Sequence, residues 1–232
     1  MAWLKQKTRN PKTKKQHKYP DSHTMKITLI EPQAKNKNRV SVYLDGEFAF
    51  GIHSDVLIKS GIGKGDEISA QKIADILSLE NRKAAMEKAY RLLAVRARSE
   101  KELKDRLRGE KYSDDAIAWV LQELMRLGLI DDKSFAIQFS KSRVSLKPVG
   151  AFYLRQELKQ KGLAENHIET GIEEAFKEKS EVNMAMDLAK KKKSQMTSVE
   201  ELRAKKKLSD FLLRRGFGWE IVNDILDQWE QL

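Results

Sequence analysis

Leu103-Lys-Asp-Arg-Leu107-Arg-Gly-Glu-Lys-Tyr112-Ser-Asp-Asp-Ala-Ile117 places two leucines four residues apart, then a short polar turn, then a second apolar run. The chain repeats this pattern twice with altered letters. Leu154 and Leu158 lead to Leu163 and Ile168, and Leu208 and Leu212 lead to Phe217 and Val222. A spacing of a little over fifty residues is too long for two-helix solenoids and suits three helices per unit. Units of this kind bury apolar surface against their neighbours, and the array presents one long face to something equally long. The pattern points to a binding protein.

Outward from that stretch the chain reads as helix. Ser99-Glu-Lys-Glu102 has capping-box spacing, so the Ser99 hydroxyl is expected to accept from the third amide and Glu102 to return the bond. That helix ends near Gly109. Ser113 can cap the next one, through Ile117, Val120, Leu121 and Leu124 to a stop at Gly128. Upstream, Glu87 to Ala97 puts Tyr90, Leu93 and Ala94 on one buried stripe. Asp131-Asp132 opens a second unit with Phe135 and Phe139 one turn apart. Lys147-Pro148 and Gly150 break the chain before the Leu154/Leu158 helix, Gly162 ends it, and Ile168, Ile172 and Phe176 form its last stripe. The third unit runs through Ala185, Leu188 and Ala189, restarts at Thr197-Ser-Val-Glu-Glu201, and closes on Ile221, Val222, Ile225, Leu226 and Trp229. Trp119, Trp219 and Trp229 fall on or beside the apolar stripes and are read as core.

The N-terminal region has a different period. Lys26 to Ile30 reads as a strand that stops before Pro32. Val40–Leu44 and Glu47–Phe50 flank Asp45-Gly46, a two-residue hairpin loop, with Tyr43 expected opposite Phe48 and Val42 opposite Ala49. Both faces of the ribbon then carry apolar groups, and each needs a cover. Ser54–Ser60 is a short helix stopped by Gly61, and a helix from about Ser69 to Leu77 closes the module. Ahead of Met25 the chain is basic and polar without an apolar period, the signature of disorder. The reading is a mainly α protein. A tandem array of three three-helix repeats (80–130, 131–178, 179–232), elongated and curved, follows a small β-rich module at 25–79 and a disordered basic extension at 1–24.

Composition sets limits on function. The 232 residues carry a net charge of +11, but the first 24 hold seven Lys and Arg against Asp21 alone. The remainder has 38 bases and 33 acids, so the folded body is only mildly basic. The absence of cysteine removes disulfide and thiolate chemistry and suits a cytoplasmic protein. The apolar runs fall short of a membrane span. His17, His23, His53 and His167 are too dispersed for a metal site, and the chain shows no phosphate-cradling glycine loop, nucleophile elbow or paired carboxylates. No cofactor, metal, membrane partner or catalysis is expected. Lys190 to Lys193 would span all faces of a helix and read as a solvated or frayed end.

Three stretches resemble the RecX family of recombination regulators: Arg96-Ala-Arg98-Ser99-Glu-Lys-Glu102-Leu103, Gly128-Leu-Ile-Asp131-Asp132-Lys-Ser-Phe135-Ala136, and Leu154-Arg-Gln-Glu157-Leu158-Lys-Gln-Lys161-Gly162. Leu213-Arg214-Arg215-Gly216-Phe217-Gly-Trp219 is similar to that family's third repeat. The likeness covers about residues 80 to 230, and residues 190 to 207 depart from it in their richness in lysine. The resemblance implies a monomeric, non-enzymatic protein of the cytoplasm that binds the RecA recombinase filament on single-stranded DNA. It would restrain ATP hydrolysis and strand exchange in recombination, DNA repair and the SOS response.

Partner-binding residues are sought among cations that no neighbour answers. Glu100 with Lys104, and Glu102 with Arg106, have the acid-first spacing that supports a helix, so those two bases are read as structural. Arg96, Arg98 and Arg108 in the first unit, Arg143, Arg155, Lys159 and Lys161 in the second, and Arg214 and Arg215 in the third are the candidates for acidic patches on the recombinase or for phosphates of single- or double-stranded DNA. The competing function is a helix-turn-helix-like protein acting directly on nucleic acid.

Overall fold

The computed structural model describes residues 24–196 and 199–232. Except for Thr24, the expected basic extension lies outside the described residues, as do Thr197 and Ser198 of the expected restart. From Met25 the chain forms β1 (Met25–Gln33), β2 (Asn36–Leu44), β3 (Glu47–His53), α1 (Ser54–Ser60) and β4 (Glu67–Ile68). The antiparallel sheet has the order β3-β2-β1-β4. Asp45 and Gly46 both take positive φ, as a tight hairpin turn requires.

Tyr43 pairs with Phe48 as expected, but a bulge between Val42 and Tyr43 sets Val42 opposite Phe50 rather than Ala49. That shift puts Val42 and Phe50 together in the core, with Ile27, Val40, Leu44 and Ile52. Among the described residues the other face has no cover, contrary to expectation. There Tyr43 and Phe48 meet edge to face at 5.8 Å, and Phe48 remains 59% exposed. β1 also runs past the expected stop, since Pro32 pairs with Val40. At that point β1 has a strand on one side only, because β4 pairs no further than Lys26. An open side tolerates a residue that lacks a donor.

The two helices expected on either side of residue 80 are one helix, α2 (Ala70–Val95), in a stretch containing neither glycine nor proline. Ile73 and Ile76 join the core of the sheet. Glu80 ties the helix to the strands, accepting from the Arg39 guanidinium at 2.6 Å and from the His53 amide at 2.7 Å. Further along, the buried positions are Ala85, Met86 and Ala89, while Tyr90 and Ala94 are exposed. The buried stripe therefore lies about a turn earlier than the sequence pattern suggested.

The rest of the chain is helical: α3 (Glu100–Gly109), α4 (Asp114–Arg126), α5 (Asp132–Leu146), α6 (Ala151–Gln160), α7 (Glu165–Ala175), α8 (Glu181–Lys193), α9 (Glu201–Arg214) and α10 (Trp219–Asp227), then a 3-10 turn at Trp229–Gln231. The paired leucines fall on α3, α6 and α9, and all six are fully buried. Each of these helices ends in the same way. The amides of Tyr112, Leu163 and Phe217 donate to the carbonyls of Leu107, Leu158 and Leu212 at 3.3–3.4 Å. Those of Lys111, Gly162 and Gly216 donate at 2.9 Å to Arg108, Lys159 and Leu213. Lys111, Gly162 and Gly216 all have positive φ. These bonds form a Schellman closure, which satisfies the last carbonyls and turns the next residue back over the leucine pair.

By its internal packing the chain divides into two compact units. One comprises residues up to Val95 together with Lys104–Leu124, and the other comprises Arg96–Leu103 with Met125–Leu232. A single core runs through the second unit from Phe135 to Trp229 and joins the helices of the second and third repeats. Trp229 is buried as expected, but Trp119 and Trp219 are not core residues, and Trp219 is 59% exposed. Lys190–Lys193 complete α8 without fraying. Lys193 donates to the Trp229 carbonyl at 2.6 Å, and Lys192 lies over the Phe211 ring.

Two tight joints recur inside the second unit. The Gly150 amide donates to the Arg215 carbonyl at 2.9 Å and the Phe152 amide to Gly216 at 3.2 Å. Ser99, which caps α3, donates its hydroxyl to the Lys161 carbonyl at 2.7 Å. A side-chain carbon on Gly150 would collide with the Gly216 backbone, and one on Gly216 with Tyr153. Gly216→Ala is expected to cost more than about 2 kcal/mol through that clash and its left-handed backbone. Lys111→Gly is expected to gain about 1 kcal/mol, because a lysine holds that conformation at a cost. Urea denaturation of the two variants checks both signs.

Candidate partner-binding surface

Most of the cations singled out in the sequence are engaged within the chain. Arg96 makes a two-pronged contact to Glu102 at 2.9 and 3.2 Å and donates to the Ala97 carbonyl. Lys161 reaches the same carboxylate at 2.8 Å, its ammonium lying over the Phe135 and Phe139 rings. Arg108 pairs with Asp114, Arg155 with Glu165 and Glu169, and Lys159 with Glu165. Arg98 also has a partner. The premise that Arg96, Arg98 and Arg108 stand unanswered is therefore corrected. Glu102 lies six residues from Arg96 and fifty-nine from Lys161, separations outside the helical neighbourhood in which partners were sought.

The capping box is half formed. The Glu102 amide donates to the Ser99 hydroxyl at 3.2 Å, but the Glu102 carboxylate goes to the two cations instead of back to the cap. Lys104 and Arg106, set aside as paired, are exposed and have no partner among the described residues. The cations of α3 without a partner among the described residues, Lys104 and Arg106, are thus not the one chosen there from spacing, Arg108.

Three of the nine candidates come together at one place. Arg143, Arg214 and Arg215 line a cleft of about 230 Å³ with Lys147, Val149, Tyr153 and Phe211. Lys147 was missed by sequence reasoning, although its place beside Pro148 in a chain break marked it as exposed turn. Arg143 is held by Glu157 at 2.9 and 3.2 Å and by the Lys147 carbonyl at 3.0 Å, over the Tyr153 ring. Arg215 donates to the Pro148 carbonyl at 3.0 Å and lies over the Phe211 ring. The two guanidiniums thus grip adjacent carbonyls of one turn.

A second concavity, of about 480 Å³, is lined by Arg155 and by the exposed aromatics Phe152 and Trp219. At its edge Glu181 accepts from the Ala151 amide at 2.9 Å and so caps α6. Burial pushes the Glu181 carboxyl up against the opposing pull of that amide and of Arg155. Among the described residues no cluster of His, Asp or Glu could hold a metal ion, and no helix is long and apolar enough to cross a membrane.

The Glu102 cluster gives a pH signature. Burial would raise this carboxyl, but Arg96 and Lys161 together outweigh it and hold it at about 2, below the ordinary 4.5. A lowered folded-state value means the contribution is whole above the ordinary value and is lost as pH falls through the folded one. Glu102→Gln should therefore destabilise by about 1 kcal/mol near neutral pH, where it leaves two cations unanswered. Urea midpoints measured across pH should show that gap closing as pH approaches 2, whereas a constant gap would contradict the assignment.

Comparison with known proteins places these features in a family. The model of the regulatory protein RecX N-terminal domain matches residues 25–69, and those of the first, second and third RecX three-helix domains match 85–124, 131–172 and 180–226. A regulatory protein RecX of Clostridium botulinum is 31% identical over 205 residues, covering 88% of this chain and 95% of its own length. Another, of Bacillus cytotoxicus, is 32% identical over 209 residues, covering 88% and 77%. A crystal structure of a regulatory protein RecX superposes with a TM-score of 0.68 at 28% identity, over 88% of this chain and 99% of that one. RecX from Lactobacillus salivarius, 23% identical with a TM-score of 0.61 over 66% of this chain and 99% of its own, shares the fold. With all four domain models matched in order and relatives above 30% identity along most of its length, this chain belongs to the RecX family of regulatory proteins.

Proposed function

We propose that this protein binds the RecA recombinase filament on single-stranded DNA and inhibits its ATP hydrolysis and strand exchange, as a cytoplasmic regulator of recombination, DNA repair and the SOS response. Membership of a family of regulatory proteins, along the whole succession of domains, carries the reading. On this view the repeats span 80–130, 131–178 and 179–232 and act as separate footholds in one monomeric chain. A filament repeats its surface subunit by subunit, and several individually weak footholds gain avidity on such a track.

The charge arrangement favours a protein surface over naked nucleic acid. A protein that binds bare DNA needs cations free to replace the counterions of phosphates. Here Arg96, Arg108, Arg143, Arg155, Lys159 and Lys161 are already answered by carboxylates. Of the nine candidates, Arg214 and Arg215 share one cleft without a carboxylate partner among the described residues, which suits recognition of a particular acidic group more than a continuous phosphate strand.

Titration of the full chain into preformed RecA filaments, with ATP hydrolysis as the readout, tests the reading. Hydrolysis is expected to fall at less than one chain per recombinase subunit. No effect, or an effect only at amounts that coat the DNA, would contradict it.

A further inference from the structure

We propose that the cleft lined by Arg143, Lys147, Arg214 and Arg215 is a receptor for a carboxylate, an Asp or Glu side chain presented by the protein partner. The inference rests on the filament reading only for the identity of that partner.

The donors are fixed before any ligand arrives. Arg143 is oriented by Glu157 and the Lys147 carbonyl, and Arg215 by the Pro148 carbonyl. Each guanidinium lies over an aromatic face, at 5.3 Å from Tyr153 and 4.9 Å from Phe211. Their Nη2 groups have no partner among the described residues, and Lys147 and Arg214 are exposed without one. The one carboxylate in the set is Glu157, which engages Arg143 through Nε. Four cations against one acid leave a concave, net-positive site whose planar forks match an oxyanion.

Size and ring geometry decide which oxyanion. About 230 Å³ admits one small group end-on, together with a few waters. Single-stranded nucleic acid is held by bases stacked on open aromatic faces along a basic track. Here Arg143 and Arg215 already lie over the rings of Tyr153 and Phe211, which reduces the open ring area for stacking. A carboxylate needs no such platform. Its desolvation on entry is offset by charge-assisted hydrogen bonds from guanidiniums that lose little freedom in making them.

The test uses the full chain with its arginine side-chain nitrogens followed by NMR at physiological ionic strength. Hexaglutamate peptide is added in one series and oligothymidylate of equal charge in another. The expected result is a shift of the Arg143 and Arg215 Nε–H signals with the peptide. Peptide affinity should fall by about tenfold or more in the double variant Lys147→Glu, Arg214→Glu. The charge-matched control Lys104→Glu, Arg106→Glu should change it by less than about twofold. Unmoved arginine signals, equal losses in both double variants, or shifts with oligothymidylate alone would each overturn the proposal. The thermal midpoint of the cleft variant separates loss of the site from loss of the fold. The assay contains no recombinase, so its outcome does not depend on whether the filament is the partner.

Discussion

The architecture depends on one backbone event, the left-handed residue that closes α3, α6 and α9. Without it each of these helices would leave its final carbonyls unanswered and the following apolar residue pointing away from the leucine pair. With it, Phe217 and Leu163 fold back onto buried leucines, and the amide that completes the closure comes from the residue being buried. Two closures do a second job. The carbonyl of Lys161 receives the hydroxyl of Ser99, and that of Arg215 receives the amide of Gly150, so the end of one helix is the docking point for the start of an earlier one. Gly150 and Gly216 are required there because two backbones approach with no room for a side chain between them.

This joint also explains much of the charge pattern. Lys161 and Arg215 occupy the same place in their closures, where a cation faces the negative end of a helix. Lys161 is then drawn to Glu102 and the stacked phenylalanines, and Arg215 to Pro148 and Phe211. Both side chains first serve the fold. For Arg215, the unused donors lie in one cleft with those of Arg143, Lys147 and Arg214.

The helical repeats were legible because leucines four apart, followed by a glycine or a short polar turn, have few alternative readings. The six leucines and the helix ends near Gly109 and Gly162 fall where the pattern put them. Pairwise detail was not legible. The hairpin bulge at Val42 follows from packing Phe50 inward, which no local spacing reveals. The continuity of α2 was hidden because Ile73 and Ile76 pack on the sheet, whereas the buried positions further along are Ala85, Met86 and Ala89, outside that core, within one uninterrupted helix. The candidate surface suffered most. Spacing along a helix finds partners three or four residues away, whereas Glu102 serves Arg96 and Lys161 across six and fifty-nine residues, and Glu157 serves Arg143 across fourteen. Lys104 and Arg106 were set aside for partners they do not use.

Family membership, repeated closures and candidate cations mostly answered by carboxylates of the same chain fit a protein whose business is with another protein's surface. The most direct measurement is electron cryomicroscopy of the full chain on RecA filaments assembled on single-stranded DNA. The account predicts density for the helical repeats seated on recombinase subunits, with the Arg143–Arg215 cleft turned toward protein. Undecorated filaments, or chains found on bare DNA alone, would contradict it.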